Sequence, residues 1–253
     1  MWNRKQLKER AKDVLRTSYW KAFLASIILV IVGGGSGGVS LPSFNFDFDL
    51  DDFNPGTSLS DIGSNIGGGI AAFLIGIIIV VMLGAIVVTL AFRIFLGFPL
   101  EIGATLYFKR SAEQEVNLNH LGFAFGKGRY WDILKTMLWR TLLTILWFLL
   151  LIIPGIVKTY AYSQVPFILA DNPNIGYRRA VDLSNRMTRG HKFRIFVLDL
   201  SFLGWILLGI LALFVGVLFV WPYINATKAE LYLALRQEAL QQGVASSEEL
   251  RLA

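Results

Sequence analysis

Residues whose types could do chemistry are few and scattered. The chain has two histidines, His120 and His191, and no cysteine. Without cysteine there are no thiolate metal sites, iron–sulfur clusters, disulfides or cysteine nucleophiles. His191 stands in the run Arg186-Met187-Thr188-Arg189-Gly190-His191-Lys192. Arg186, Arg189, His191 and Lys192 together suit an anionic phospholipid headgroup or a phosphate, each Lys or Arg near a membrane surface being worth roughly 1 kcal/mol. The same residues also fit a basic loop that orients the chain and caps the next helix. General-base work by His191 needs a positioned partner and a reacting group, and no motif supplies them. His120 stands alone, and no Glu-x-x-His or His-x-x-x-His spacing points to zinc or a di-iron centre. Neither histidine has a motif tying it to a serine. No cofactor and no metal are expected.

The second group of candidates consists of charges inside apolar runs, which are expensive at the bilayer centre and therefore functional suspects. They are Arg140, Lys158, Asp199 and Glu230. An Arg140–Asp199 pair is expected to fix the packing of two spans, and Lys158 and Glu230 suit either structural pairing and snorkelling or an ion relay. A third group lies in the stretch 40–65. There Asp47, Asp49 and Asp51 copy the first ligand positions of a calcium-binding EF-hand loop, but Asp52 and Ser58 stand where its glycine and bidentate glutamate belong. A solvated acidic loop is the expectation.

Positioning these residues falls to a very apolar chain. Of 253 residues, 55% are hydrophobic and 17% charged, against roughly 45–50% and about 25% in soluble domains. Mean hydropathy is +0.56. That much apolar surface cannot be hidden inside a globule of this size. The net charge of +6 is unevenly spread. Basic residues gather in three blocks, 4–21, 93–135 and 178–194, each beside a hydrophobic run, whereas 40–65 is acidic and free of Lys and Arg. Cytoplasmic loops carry such an excess of bases, so the blocks are assigned inside and 40–65 outside. None shows a nucleic-acid-binding motif, and no nucleic-acid partner is expected.

The pattern predicts an all-α, polytopic membrane helix bundle in one domain. Residues 1–21 read as a basic amphipathic helix along the inner headgroups, with Leu7, Ala11, Val14 and Leu15 on one stripe; a cleavable signal peptide competes with this reading. Membrane segments are expected at 22–39, 66–92, 131–153, 156–170, 193–221 and 222–240. Pro154 is expected at the tip of a hairpin, and Pro222 at the end of the fifth span. The last segment either returns through the membrane or lies outside, giving six or five spans. The echo of Pro154-x4-Thr159 in Pro222-x4-Thr227 favours six, with both termini cytoplasmic.

The C-terminal half carries a resemblance. Leu146 to Ile156 with Pro154-Gly155, Tyr160-Ala161-Tyr162-Ser163, and Ile168-Leu169-Ala170-Asp171-Asn172-Pro173 resemble the bacterial integral membrane family called "domain of unknown function 975". Gly190-His191-Lys192-Phe193, Ser201-Phe202-Leu203-Gly204-Trp205 and Trp221-Pro222-Tyr223 continue it, as do Leu7-Lys8, Ala11-Lys12 and Tyr19-Trp20 near the N-terminus. Residues 33–69 look like a variable insert. The resemblance implies a multi-pass membrane protein, mostly of Gram-positive bacteria, with no assigned activity. A looser similarity to the membrane domain of some glycerophosphodiester phosphodiesterases implies lipid-related work without the catalytic domain.

The expected function is therefore that of a non-enzymatic accessory or scaffold protein of the cytoplasmic membrane. Its expected partners are the lipid bilayer with its anionic headgroups and a membrane protein or a second copy. The alternative is a small-solute or ion transporter using broken helices and embedded charges. A lipid enzyme lacks a nucleophile or metal cluster.

Overall fold

The computed structural model describes residues 2–32, 68–211 and 215–251. The expected acidic loop 40–65, with its calcium-like aspartates, and residues 33–39 lie outside these. Every regular element among the described residues is helical. The chain divides into two compact units, Pro42–Arg93 and the remainder. The first contributes helix α2 (Gly68–Phe92), which has no charged residue. Three helical stretches are long and apolar enough to cross a membrane: Ile75–Ala112, Tyr130–Leu150 and Lys192–Leu211.

In the larger unit, α1 (Arg4–Val32) carries a non-helical residue at Ser18. The Ser18 hydroxyl donates to the Val14 carbonyl at 2.9 Å, a back-bond that bends helices. Leu7, Ala11, Leu15, Ala22, Ala25 and Leu29 form one buried stripe. This corrects one expectation: the apolar stripe of the N-terminal helix is covered by protein and does not rest on headgroups. Its cover is α3 (Phe98–Ala112), reached through a π-helical turn at Arg93–Gly97, and α10 (Val215–Gln241). Pro99 sits in the first turn of α3, where its missing N–H costs nothing. Almost every residue of α3 is buried, which makes it the central helix of the unit. A 3-10 turn at Leu118–Phe125 crosses it where Gly103 leaves no room for a side chain beneath the Leu121 carbonyl.

Helix α4 (Tyr130–Leu150) ends at Leu151, whose extended backbone also starts α5 (Ile152–Ala161). The hairpin tip is thus Leu151, and Pro154 lies in the first turn of α5, where proline is tolerated. Gly155 permits the close return, since a Cβ there would strike the Phe148 ring. The expected segment 156–170 is interrupted at 162–164, after which the buried helix α6 (Val165–Asp171) follows. Next come α7 (Tyr177–Met187), α8 (Lys192–Leu200) and α9 (Leu203–Leu211). Helix α10 runs unbroken through Pro222. Pro222 therefore lies inside a helix and does not end one.

Candidate functional site

Helix α7 turns Ala180, Val181, Leu183, Ser184 and Met187 inward. Asp182, Asn185, Arg186 and Arg189 follow at helical spacing, so they share the opposite face. Two hydroxyls dock that helix onto the end of α5. Ser184 donates to the Ala161 carbonyl at 2.7 Å and accepts from the Gln164 amide at 3.2 Å, and Thr188 reaches the same carbonyl at 3.4 Å. Gly190, at φ 82°, reverses the chain between α7 and α8, a conformation that glycine adopts without steric cost.

The result is an open cavity of about 540 Å³ lined by Lys158, Asp182, Asn185, Arg186, Arg189 and Lys192. Asp182 is engaged on both sides, by Arg186 Nε at 2.9 Å and Arg179 Nη1 at 3.3 Å. Lys192 donates to Asn185 Oδ1 at 3.2 Å. The Lys158 ammonium lies 4.8 Å from the Trp147 ring centre and 5.8 Å from that of Tyr162. Among the described residues Lys158, Arg189 and Lys192 form no ion pair with a carboxylate. Three cations therefore share one cavity rim without internal compensation.

The residues of this region match a family model. Residues 132–239 fit the family described as "Protein of unknown function (DUF975)". That segment matches DUF975. It is the family the sequence resembles, and the whole cavity lining falls within the DUF975 segment. No curated protein and no solved structure matches the chain.

Of the four headgroup candidates, Arg186, Arg189 and Lys192 meet in the cavity and His191 does not. Its Nε2 lies 3.2 Å from Glu238 Oε1 on α10, and its ring is 6.1 Å from that of Trp2. Arg194 also holds Trp2, lying 4.6 Å from its ring centre and donating to its carbonyl at 2.7 Å. His191 ties the N-terminus to α10 inside the DUF975 segment.

The expected Arg140–Asp199 pair does not form. Arg140 on α4 reaches Glu101 on α3 at 3.3 Å, whereas Asp199 on α8 faces Lys228 on α10 at 3.6 Å. Glu230 is buried on α10, with Arg10 of α1 as the cation acting on it. Lys158, read from the sequence as an intramembrane charge suited to pairing, snorkelling or an ion relay, joins the basic cluster.

A further network escaped the sequence reading. Asp171, at the end of α6, is held by Lys109, by the Tyr232 hydroxyl and by Arg236 Nη1 at 3.3 Å; Arg236 Nη2 also bonds Glu113 at 2.7 Å. Its signal was a lone acid closing the apolar run Val165–Ala170. Burial of a carboxylate demands paired, hydrogen-bonded cations, but spacing does not say which. Three helices, α3, α6 and α10, meet on this one side chain.

Proposed function

We propose that this chain is a non-enzymatic accessory or scaffold protein of the cytoplasmic membrane, and that it holds anionic phospholipid headgroups in the Lys158–Lys192 cavity. One observation carries the reading: a bare apolar hairpin tip stands a short way above that cavity. Leu149, Leu150, Leu151, Ile152 and Ile153 are 82, 66, 63, 70 and 77% exposed. Immersing them in hydrocarbon is worth on the order of 10 kcal/mol, at roughly 1.5–3 kcal/mol each. Carrying a lysine inward costs roughly 2.5–3.5 kcal/mol, less if it snorkels. The tip therefore enters, and Lys158 follows only as far as its ammonium can reach the phosphates.

Depth follows from helix rise. Lys158 lies about 9 Å along α5 from Ile152, at roughly 1.5 Å per residue, and half the hydrocarbon layer is about 15 Å thick. A tip near the bilayer centre thus puts the cavity at the headgroups. In this reading α4 and α5 enter one leaflet and return, a shallower insertion than the crossings expected over 131–153 and 156–170. Segments 22–39 and 66–92, together with α8–α9 and α10, make the crossings, and both termini stay on the basic, cytoplasmic side.

The test is the phospholipid that remains with the purified protein. Lys158→Ala/Arg189→Ala/Lys192→Ala should lose most of its bound anionic phospholipid. Lys5→Ala/Lys127→Ala/Lys135→Ala, which removes the same charge from exposed sites, should keep it. Equal retention by both would overturn the reading.

The second reading, a small-solute or ion transporter, is favoured by the buried Asp199–Lys228 pair between apolar helices. Saturable flux in reconstituted vesicles, abolished by Asp199→Asn or Glu230→Gln, would establish it.

A further inference from the structure

The rim of the cavity carries more charge than one phosphodiester can answer. Asp182 is occupied by Arg179 and Arg186, and the Asn185 carbonyl oxygen accepts from Lys192. That leaves three cationic side chains, Lys158, Arg189 and Lys192, and the Asn185 amide NH2 as donors into one space. A phosphodiester brings one negative charge and two free oxygens. A phosphomonoester near neutral pH brings close to two charges and three acceptor oxygens. We propose that the cavity is a phosphomonoester site, with one oxygen each for Lys158, Arg189 and Lys192, and that it discriminates against phosphodiesters. This inference rests on the headgroup reading and narrows it to a class of ligand.

Exposed apolar side chains next to the cavity residues along α5 and α8, outside its lining, agree with a phosphate attached to an apolar tail. Ile156 and Val157 on α5 and Phe193 and Phe196 on α8 are exposed beside Lys158 and Lys192, and Trp147 and Tyr162 lie beneath the Lys158 ammonium. Lysine and arginine stems can lie along such surfaces while their heads meet the anion. A second cavity, lined by Trp2, Asn3, Arg4, Phe193, Arg194 and Val197, offers less: Arg194 there is already committed to Trp2.

The experiment titrates the full-length protein in phosphatidylcholine nanodiscs with dioleoyl phosphatidic acid or dioleoyl phosphatidylglycerol, reading bound lipid by native mass spectrometry. Phosphatidic acid should bind at least about tenfold more tightly, the step that one additional charge-assisted hydrogen bond provides. Arg189→Ala, on an exposed side chain that the fold does not need, should erase that preference, as should Lys158→Ala. Glycerol 3-phosphate is added as a soluble competitor. Displacement at comparable affinity assigns the site to soluble phosphomonoesters, and resistance to it assigns the site to the lipid; both support the inference. Equal affinity for the two lipids, lowered alike by the variants, would overturn the phosphomonoester inference and leave the headgroup reading standing. Binding of both lipids that no cavity variant alters would overturn the two together.

Discussion

Arg140 on α4 binds the carboxylate of Glu101 on α3, with 3.3 Å between Nη1 and Oε1 and side-chain exposures of 16 and 5%. It joins the amphipathic half of α4 to the central helix, at a place where the sequence alone pointed Arg140 toward Asp199. Removing one partner of a buried pair leaves an uncompensated charge, typically costing roughly 3–5 kcal/mol, whereas replacing both with apolar groups is often neutral. Glu101→Gln or Arg140→Met should therefore lower thermal stability in detergent sharply, and Glu101→Leu/Arg140→Met should recover most of the loss. Rescue of Arg140→Met by a change at Asp199 instead would contradict this pairing.

Asp171 is held by three side chains, from α3 and α10. Asp171→Asn strands Lys109 and Arg236 together in the core, with only Glu113 remaining between them. The expected cost is about 3–5 kcal/mol, and Tyr232→Phe, which removes a single hydrogen bond, should cost about 1–2 kcal/mol. Thermal unfolding of the two variants side by side measures the gap. Equal Tm losses would show that the cations do not depend on Asp171.

The C-terminal residues are held by Arg179, whose guanidinium meets Glu249 at 2.5 and 3.0 Å and also donates to the Val244 carbonyl. The Arg179 hydrogen bond holds the Glu249 carboxyl below its ordinary value of 4.5. A lowered folded pKa stabilises docking fully above about that ordinary value, and the contribution is lost as pH falls through the folded one. Protection of the 244–250 amides relative to their intrinsic exchange rates should be high at neutral pH and fall in acid, and Glu249→Gln should be weakly protected at both. Global stability should change by less than about 1 kcal/mol, because the pair is partly solvated.

Single-cysteine variants read the depth of the hairpin without background, since the chain has no cysteine. Leu151→Cys and Ile153→Cys should react with a lipid-soluble maleimide and resist a water-soluble one applied from either side. Leu211→Cys, about 28 Å from Lys192 along α8 and α9, should react from the far side. Water-soluble labelling of Leu151→Cys from the far side would instead make α4 and α5 two full crossings.

Gly103 and Gly204 offer a matched comparison. A Cβ on Gly103 would collide with the Leu121 backbone, and one on Gly204 meets open space. Gly103→Ala should cost about 1–3 kcal/mol or more through overpacking. Gly204→Ala, on the helix α9, should be neutral or slightly stabilising. Comparable Tm values for the two would refute the close crossing of α3 by the 3-10 turn.

The sequence by itself determined that the described residues are helical, that three of the six expected membrane segments (66–92, 131–153 and 193–221) overlap helices apolar enough for a membrane, and that 132–239 resembles DUF975. These are local properties: hydrophobic period, run length and residue type can be read without knowing what lies opposite. Arg186, Arg189 and Lys192 were legible as a cluster for the same reason, being neighbours on one turn and its continuation. Tertiary structure decided everything that depends on a partner. It sent His191 to Glu238, Arg140 to Glu101 and Asp199 to Lys228, and brought Lys158 to the basic cluster from 28 residues earlier in the chain. It also buried the stripe of α1 under α3 and α10 and carried α10 straight through Pro222. A buried charge announces that it needs a counter-charge, but helix packing chooses among several acids and bases of equal merit, and spacing along the chain holds no information on that choice.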